Sequence, residues 1–327
     1  MAVKPYAYAV LEAVAQEMRA DPYMAFFWEY SAPVATLPSG QILDLAKEFG
    51  IPRTSGLGWA IDETWIWGTA AGYAMTGQKV VARVPSMANV FAIEYVFEQI
   101  GKLRHMTGGQ ANMPLVLWAD GAGRVRGSAG QHADAGQETL YANLPGVKVV
   151  VPSNAYDAKG LMVAAIRDPD PVVYFDYAEV RSTAPLDVPD DPYEVPIGKA
   201  AVRQEGKDLT IVSWAPATVD VEKALPEIQK AGISAEYIDL RSLKPMDTDT
   251  LVASVQKTKR LLVVEHGHYT AGFSAHVVAE AAQRVPGAKF MRITFPDAPP
   301  PGAQVMIQWL RPDPPKILDA AKRMVAG

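Results

Sequence analysis

The sequence predicts an α/β protein of two domains, each a mainly parallel sheet flanked by helices. Three observations predict it: the length of 327 residues, the alternation of strand-like and helix-like stretches, and one interruption rich in proline and aspartate. A chain of this length exceeds one ordinary core and fits two domains of roughly 150 residues. The predicted domains are residues 1–185 and 208–327, joined by a linker at 186–207.

Short apolar runs in the first half predict strands that are covered on both faces, as strands of parallel sheets are. These strands are Met24–Trp28, Val80–Val84, Pro114–Trp118, Val147–Val151 and Val172–Phe175. Apolar residues at helical spacing between them predict the helices Tyr6–Met18, Ile42–Phe49, Thr64–Met75, Val90–His105 and Asp157–Ile166. Strands that alternate with helices indicate a parallel sheet with helices on both faces.

The same alternation begins again after the linker and predicts a second α/β domain. Its predicted strands are Leu209–Val212, Ala235–Ile238, Arg260–Val264 and Lys289–Ile293. Its predicted helices are Val219–Gln229, Thr248–Gln256, Ser274–Arg284 and Lys316–Met324.

The composition excludes several classes of protein. The net charge of -5, without blocks of lysine and arginine, argues against a nucleic-acid partner. Absence of cysteine removes disulfides, thiolate zinc sites and cysteine nucleophiles, and favours a reducing, cytoplasmic location. No apolar run approaches the ~20 residues of a membrane span, and the N-terminal stretch lacks the apolar core of a signal peptide. We expect a cytoplasmic protein that neither enters a membrane nor binds nucleic acid.

Six strings occur in one order along almost the whole chain. They are IDET at 61–64, MTGGQ at 106–110, LPGVKVVVPSNAYDAKGL at 144–161, AIRDPDPVV at 165–173, VPIGKA at 195–200 and LRSLKPMD at 240–247. Together they resemble the β subunits of the E1 component of pyruvate, branched-chain 2-oxo-acid and acetoin dehydrogenases. That family combines a transketolase-like pyrimidine-binding domain with a transketolase C-terminal domain.

The resemblance implies an oxidoreductase that uses thiamine diphosphate to decarboxylate a 2-oxo acid and passes the acyl group to a lipoyl acyltransferase. It also implies an α-type E1 subunit, with which the chain forms an α2β2 heterotetramer. The family's magnesium motif, Gly-Asp-Gly followed by Asn-Asn, does not occur here, so magnesium is expected mainly on the α chain. No metal is assigned to side chains of this chain, although the resemblance allows a structural potassium ion on backbone oxygens near Ala164 to Asp168.

Glu63 matches the family's catalytic glutamate, which lies just ahead of a helix of small residues. A carboxyl group in contact with the cofactor's aminopyrimidine can share a proton with it, which is general acid/base chemistry. The spacing alone favours a simpler interpretation, in which Asp62 and Glu63 are acidic residues stabilised by the dipole at a helix start, and the match of the surrounding string reverses that preference.

A glycine-rich loop, ADGAGRVRGSAGQHADAGQ, follows the strand PLVLW and resembles the family loop at the substrate entrance. His132 matches the family histidine, and an imidazole suits proton transfer or the orientation of a carboxylate near neutral pH. Arg124 and Arg126 fit either a substrate carboxylate or cofactor phosphate, or ion pairs with the partner chain. The glycine spacing GxGxxxG departs from the dinucleotide fingerprint GxGxxG, which argues against nicotinamide binding.

The pyrimidine-binding face departs from the family pattern. Ser86, Met87 and Ala88 stand where the family has aromatic residues, so Met87 and Phe91 are the candidate apolar contacts, although both also fit ordinary core. Glu29, in FWEYS, matches a family acidic residue near the cofactor.

Two other functions fit these departures. One is a thiamine-diphosphate-dependent carbon-carbon lyase or ligase, of the acetoin-cleaving or split transketolase-like kind. The other is a degenerate scaffold subunit without catalysis, which the retained Glu63 and His132 oppose.

Overall fold

The structure is a computed structural model that describes residues 2–29, 33–56, 62–85, 90–122 and 135–326. Its internal contacts divide the chain into two compact units. Unit 1 comprises Met1–Ala122 and Tyr141–Ile197, and unit 2 comprises Gly123–Leu140 and Gly198–Gly327. The division between Ile197 and Gly198 falls within the predicted linker at 186–207. The exact bounds of the two domains stay a prediction.

Unit 1 is an α/β unit whose main sheet is parallel, as predicted. Its strands are β1 (Ala2–Lys4), β2 (Ala25–Trp28), β3 (Val34–Thr36), β4 (Ile42–Asp44), β5 (Thr54–Gly56), β6 (Val80–Pro85), β7 (Leu115–Ala122), β8 (Lys148–Val150), β9 (Val172–Tyr177) and β10 (Leu186–Val188). The main sheet runs β8-β9-β7-β6-β2-β5, and each neighbouring pair is parallel. Two small antiparallel pairs, β1 with β10 and β3 with β4, lie beside it.

The helices of unit 1 bury apolar residues, except the short helix Leu103–Met106, none of whose residues is buried. They are α1 (Tyr6–Ala20), α2 (Leu45–Phe49), α3 (Glu63–Met75), a π-helix (Tyr95–Ile100), α4 (Leu103–Met106), α5 (Glu138–Ala142), which crosses the division between the units, α6 (Ala155–Arg167) and α7 (Ala178–Arg181). Every residue of β9 is buried, which explains why a central strand reads as a continuous apolar run. Most of α6 is buried as well.

The predicted helix Ile42–Phe49 is wrong over its first part. Residues 42–44 form β4, in which Ile42 pairs with Thr36 of β3. A turn at Pro38-Ser39-Gly40 joins the two strands, and Gly40 has a φ of 89°, which glycine adopts without strain. This turn chemistry outweighs the helical pattern, and α2 begins only at Leu45.

The predicted helix Val90–His105 is also wrong as one continuous element. The π-helix ends at Ile100 and α4 begins at Leu103, with Gly101 between them. A Cβ atom on Gly146 would lie 1.7 Å from the carbonyl oxygen of Gly101, so the two backbones are in direct contact. The turn at Gly146 therefore packs on the chain where the predicted helix is interrupted.

Unit 2 is a second α/β unit, again as predicted. Its strands are β11 (Ala201–Gln204), β12 (Leu209–Ser213), β13 (Ala235–Asp239), β14 (Ser242–Lys244), β15 (Arg260–His268) and β16 (Lys289–Phe295). Its helices are α8 (Thr218–Lys230), α9 (Thr248–Thr258), α10 (Phe273–Arg284), α11 (Gln304–Leu310) and α12 (Pro314–Ala326). The sheet runs β11-β13-β12-β15-β16, and only the edge strand β11 is antiparallel to its neighbour.

Apolar residues of β12, β13 and β15 form the core of unit 2 together with α8 and α12. Among the described residues, no helix is long and apolar enough to cross a membrane.

Candidate active site

Two acidic residues come together in unit 1 beside the carboxyl end of a parallel strand. Glu29 directly follows β2, and Glu63 is the first residue of α3. Both side chains are buried, with 1% and 7% of their surface exposed. Open α/β sheets bind ligands outside the carboxyl ends of their strands, which is where this pair lies.

Asp62 fixes the start of α3. Its carboxylate accepts a hydrogen bond from the backbone N–H of Trp65 at 2.9 Å, which is a helix N-cap. Its own backbone N–H donates to Glu29 Oε1 at 3.2 Å. One residue therefore holds both the helix that carries Glu63 and the carboxyl group of Glu29. The cap was readable from the aspartate before the helix, whereas the contact with Glu29 joins distant segments and had no local signal.

The electrostatics of the pair set Glu29 apart. Burial, reinforced by the nearby negative charge of Glu63, raises the pKa of Glu29 from its usual 4.5 to about 7. The hydrogen bond from Asp62 opposes this rise only in part. Glu29 Oε2 is buried and has no hydrogen-bond partner among the described residues. The pair therefore offers a carboxyl group that can carry or release a proton near neutral pH, which is the donor set that an aminopyrimidine ring requires.

Two tryptophans follow Glu63 closely on α3, and their side chains lie in different environments. Trp65 is 40% exposed, whereas Trp67 is fully buried. The ring of Trp67 packs edge-on against Tyr141, with 6.3 Å between ring centroids, and Tyr141 packs in turn against Phe175 of β9. Trp67 thus locks α3 onto the sheet one helical turn after Glu63.

The other predicted site residues are less defined by the structure. Arg124, Arg126, His132 and Met87 lie outside the described residues, and their roles stay predictions. Phe91 is described, and 64% of its surface is exposed in the isolated chain. The structure does not bring Phe91 into the buried carboxyl pair, and its contact with a cofactor stays a prediction.

No group of three or more histidine, aspartate and glutamate side chains in the described ranges is arranged to hold a metal ion. In the segment considered for potassium, Asp168 directly follows α6 and its carboxylate accepts two hydrogen bonds from Lys148 Nζ, at 2.6 and 2.7 Å. The last carbonyl groups of a helix lack partners within the helix, so oxygen ligands are available there. The negative charge of Asp168 is already balanced by Lys148.

Comparison with known proteins agrees with this arrangement. A family model described as the transketolase pyrimidine-binding domain matches residues 6–176, and a model of the transketolase C-terminal domain matches residues 198–317. The chain is 35% identical over 324 residues to the pyruvate dehydrogenase E1 component subunit beta of Bacillus subtilis, covering 97% of each chain. The subunit of the same name from Staphylococcus epidermidis is 36% identical over 321 residues and 96% of each chain.

Among solved structures, a split gene transketolase, described as an inactive beta4 tetramer, superposes with a TM-score of 0.79 over 99% of both chains. Its sequence is 21% identical, so this match supports the fold. The two matched domains cover most of the chain, and the curated relatives cover nearly all of it. The chain therefore belongs to the family of β subunits of thiamine-diphosphate-dependent 2-oxo-acid dehydrogenase E1 components.

Proposed function

We propose that this chain, paired with an α-type E1 subunit, decarboxylates a 2-oxo acid on thiamine diphosphate and delivers the acyl group to a lipoyl acyltransferase. The observation that carries the proposal is the buried pair of Glu29 and Glu63 at the carboxyl end of β2. A buried carboxyl oxygen without a partner among the described residues is costly unless a ligand satisfies it.

Glu63 is the proposed proton-transfer group. Thiamine diphosphate, when bound, supplies the nucleophilic carbon that makes loss of carbon dioxide from a 2-oxo acid possible. Glu63 would bind the cofactor's aminopyrimidine and move a proton to or from that ring. The cap at Asp62 and the packing of Trp67 hold Glu63 in place, so little reorganisation accompanies the transfer.

Glu29 supports this role through its own raised pKa. With its pKa raised to about 7, Glu29 is largely protonated in mildly acidic solution, so it adds little negative charge beside Glu63. His132, Arg124 and Arg126 would orient the substrate carboxylate, and Met87 and Phe91 would contact the pyrimidine ring.

The partners follow from what the sequence lacks. The family's magnesium motif is missing, so we infer that the α chain binds magnesium and the diphosphate, in an α2β2 heterotetramer. The relatives are named as β subunits of an E1 component, which supports an α partner. A potassium ion on the carbonyl groups near Ala164 to Asp168 would have a structural role only, and we infer a cytoplasmic location from the cysteine-free sequence.

The decisive experiment is co-expression with an α-type E1 chain. Decarboxylation of pyruvate, 2-oxobutyrate and branched-chain 2-oxo acids would be measured with an artificial electron acceptor. Glu63→Gln should abolish turnover and leave the sedimentation of the complex unchanged. Glu227→Gln, on the exposed face of α8, is the matched control and should keep full activity. Near-normal turnover by Glu63→Gln would refute the proposal.

The same preparation distinguishes the two alternative functions. Products of carbon-carbon bond cleavage or formation, without electron transfer to the acceptor, would indicate a lyase or ligase. An assembled complex that turns over none of these compounds, and binds no thiamine diphosphate, would indicate a scaffold subunit.

A further inference from the structure

Helix α3 leaves one uncharged face exposed on unit 1. From Thr64 to Gln78 the sequence contains no charged residue. Four exposed residues nonetheless follow one another along α3 at spacings of three or four positions, and we call them the α3 stripe: Trp65, Thr69, Gly72 and Met75. Trp65 is 40% exposed and Met75 is 49% exposed. A helix without charge on any face is normally covered on all its faces.

The two glycines of α3 differ in what surrounds them. A Cβ atom on Gly68 would lie 3.0 Å from the ring of Tyr95, so the chain's own packing explains this glycine. A Cβ atom on Gly72 would meet no described atom within 4 Å. Glycine destabilises the interior of a helix, and the described contacts of unit 1 do not require it at Gly72. A glycine on an exposed helix face does allow the backbone of another chain to approach closely.

The α3 stripe begins beside the candidate active site. Trp65 stands two residues after Glu63, and residues two apart on a helix do not face each other. Glu63 is 7% exposed, so its side chain lies inside unit 1 while that of Trp65 lies on the surface. From Trp65 the stripe runs to Met75, which is about 15 Å at the rise of an α-helix. The exposed face is therefore continuous with the start of the helix that carries Glu63.

The position of the stripe indicates which partner covers it. The curated relatives are β subunits of an E1 component, and in the proposed function an α-type subunit binds the magnesium and diphosphate of a cofactor held at Glu63. That subunit must approach unit 1 where α3 begins, at Trp65. We propose that the α3 stripe is the surface on which the α-type subunit docks, through an apolar segment of its own. This inference rests on the proposed function.

The test introduces a charge into the stripe where the chain itself has room for it. Gly72→Arg should fold as the wild type does, since no described atom lies near its Cβ position. Gln229→Arg, at an exposed position of α8, is the matched control. Each variant is co-expressed with an α-type E1 chain, and the complex is analysed by sedimentation. Because an unpaired charge buried at an interface weakens binding strongly, Gly72→Arg should raise the dissociation constant at least about 30-fold. Gln229→Arg should leave the dissociation constant unchanged.

Two further measurements separate lost docking from misfolding. The isolated Gly72→Arg chain should unfold at the wild-type temperature or above it, because arginine favours a helix more than glycine does. In the wild-type isolated chain, hydrogen peroxide should oxidise Met75 about as fast as Met306 of α11, which is 54% exposed. Addition of the α-type chain should slow the oxidation of Met75 about tenfold, because docking covers its side chain.

Each outcome bears on a distinct claim. Assembly of Gly72→Arg with the wild-type dissociation constant, or unchanged oxidation of Met75 in the complex, would overturn the inference and leave the proposed function standing. A Gly72→Arg complex that keeps the α-type chain but has half the mass would also overturn it, since the stripe would then lie between two copies of this chain. A wild-type chain that binds no α-type subunit would refute the proposed function, and this inference with it.

Discussion

Replacing Glu29 with glutamine should stabilise the chain at alkaline pH and have a much smaller effect at pH 5. The pKa of Glu29 rises from 4.5 to about 7 on folding, because the carboxyl group is buried beside Glu63. A carboxyl group with a higher pKa in the folded chain binds its proton more tightly there. Its contribution to stability is therefore full below pH 4.5 and is lost as pH rises to about 7.

The size of the effect follows from the pKa rise. A change of this size corresponds to about 3 kcal/mol of unfolding free energy, spread over the pH range from 4.5 to about 7. Glutamine is neutral at every pH, and its side-chain oxygen can still accept the N–H of Asp62. Glu29→Gln should thus be more stable than the wild type by up to about 3 kcal/mol at pH 8. Turnover should fall at the same time, because glutamine cannot carry or release a proton as the carboxyl group of Glu29 can.

Urea denaturation of the isolated chain at pH 5, 6, 7 and 8 would measure the difference in unfolding free energy between Glu29→Gln and the wild type. Glu227→Gln is the control for the loss of an exposed charge. The important result is the pH dependence of the difference between Glu29→Gln and the wild type. A difference that is the same at all four pH values, or a variant less stable than the wild type at pH 8, would show that Glu29 does not carry a raised pKa.

Three further predictions concern stability. Asp62→Ala removes the N-cap of α3 and should cost about 1 kcal/mol in thermal unfolding, whereas Asp62→Asn should restore most of it. Gly146→Ala should yield little folded protein because of its close backbone contact, while Gly232→Ala, at a similar φ but in open space, should fold; equal yields of the two would contradict the contact. Asp220→Asn breaks a buried ion pair with Arg311 and should cost about 3 to 5 kcal/mol at pH 7. Because the folded pKa of Asp220 is lowered, that loss should shrink as the pH falls below its usual 3.8, and a loss independent of pH would refute the ion-pair account.

The sequence predicted the buried strands best, because a parallel strand covered on both faces has an unmistakable apolar run. Val172–Phe175, for example, lies wholly within β9. The prediction failed at Ile42, where a turn at Pro38 and Gly40 decided the structure and the helical spacing did not. It failed again near Gly101, because the obstacle there is Gly146, a residue 45 positions away whose contact leaves no local signal.

The residues of the candidate site likewise include some that the local sequence indicates and others that only the tertiary structure reveals. Glu63 could be named from the string around it, since the resemblance is carried by neighbouring residues. The approach of Glu29 to Asp62, and the raised pKa that results, depends on where β2 ends relative to α3. Likewise, nothing near Trp214 in the sequence indicates a partner 76 residues earlier, at Glu138. Such pairings are products of the tertiary structure.

The pairing of β1 with β10 has a consequence for how the chain is made. Ala2 lies opposite Val188 and Lys4 opposite Leu186, so β1 has no partner until more than 180 further residues have been synthesised. At bacterial or eukaryotic elongation rates of about 5–20 residues per second, that wait lasts roughly 10 to 40 s. During it, the backbone groups of β1 are open to other strands. Expression conditions that slow elongation should therefore favour aggregation of nascent chains, and a solubilising fusion placed ahead of β1 should counter it.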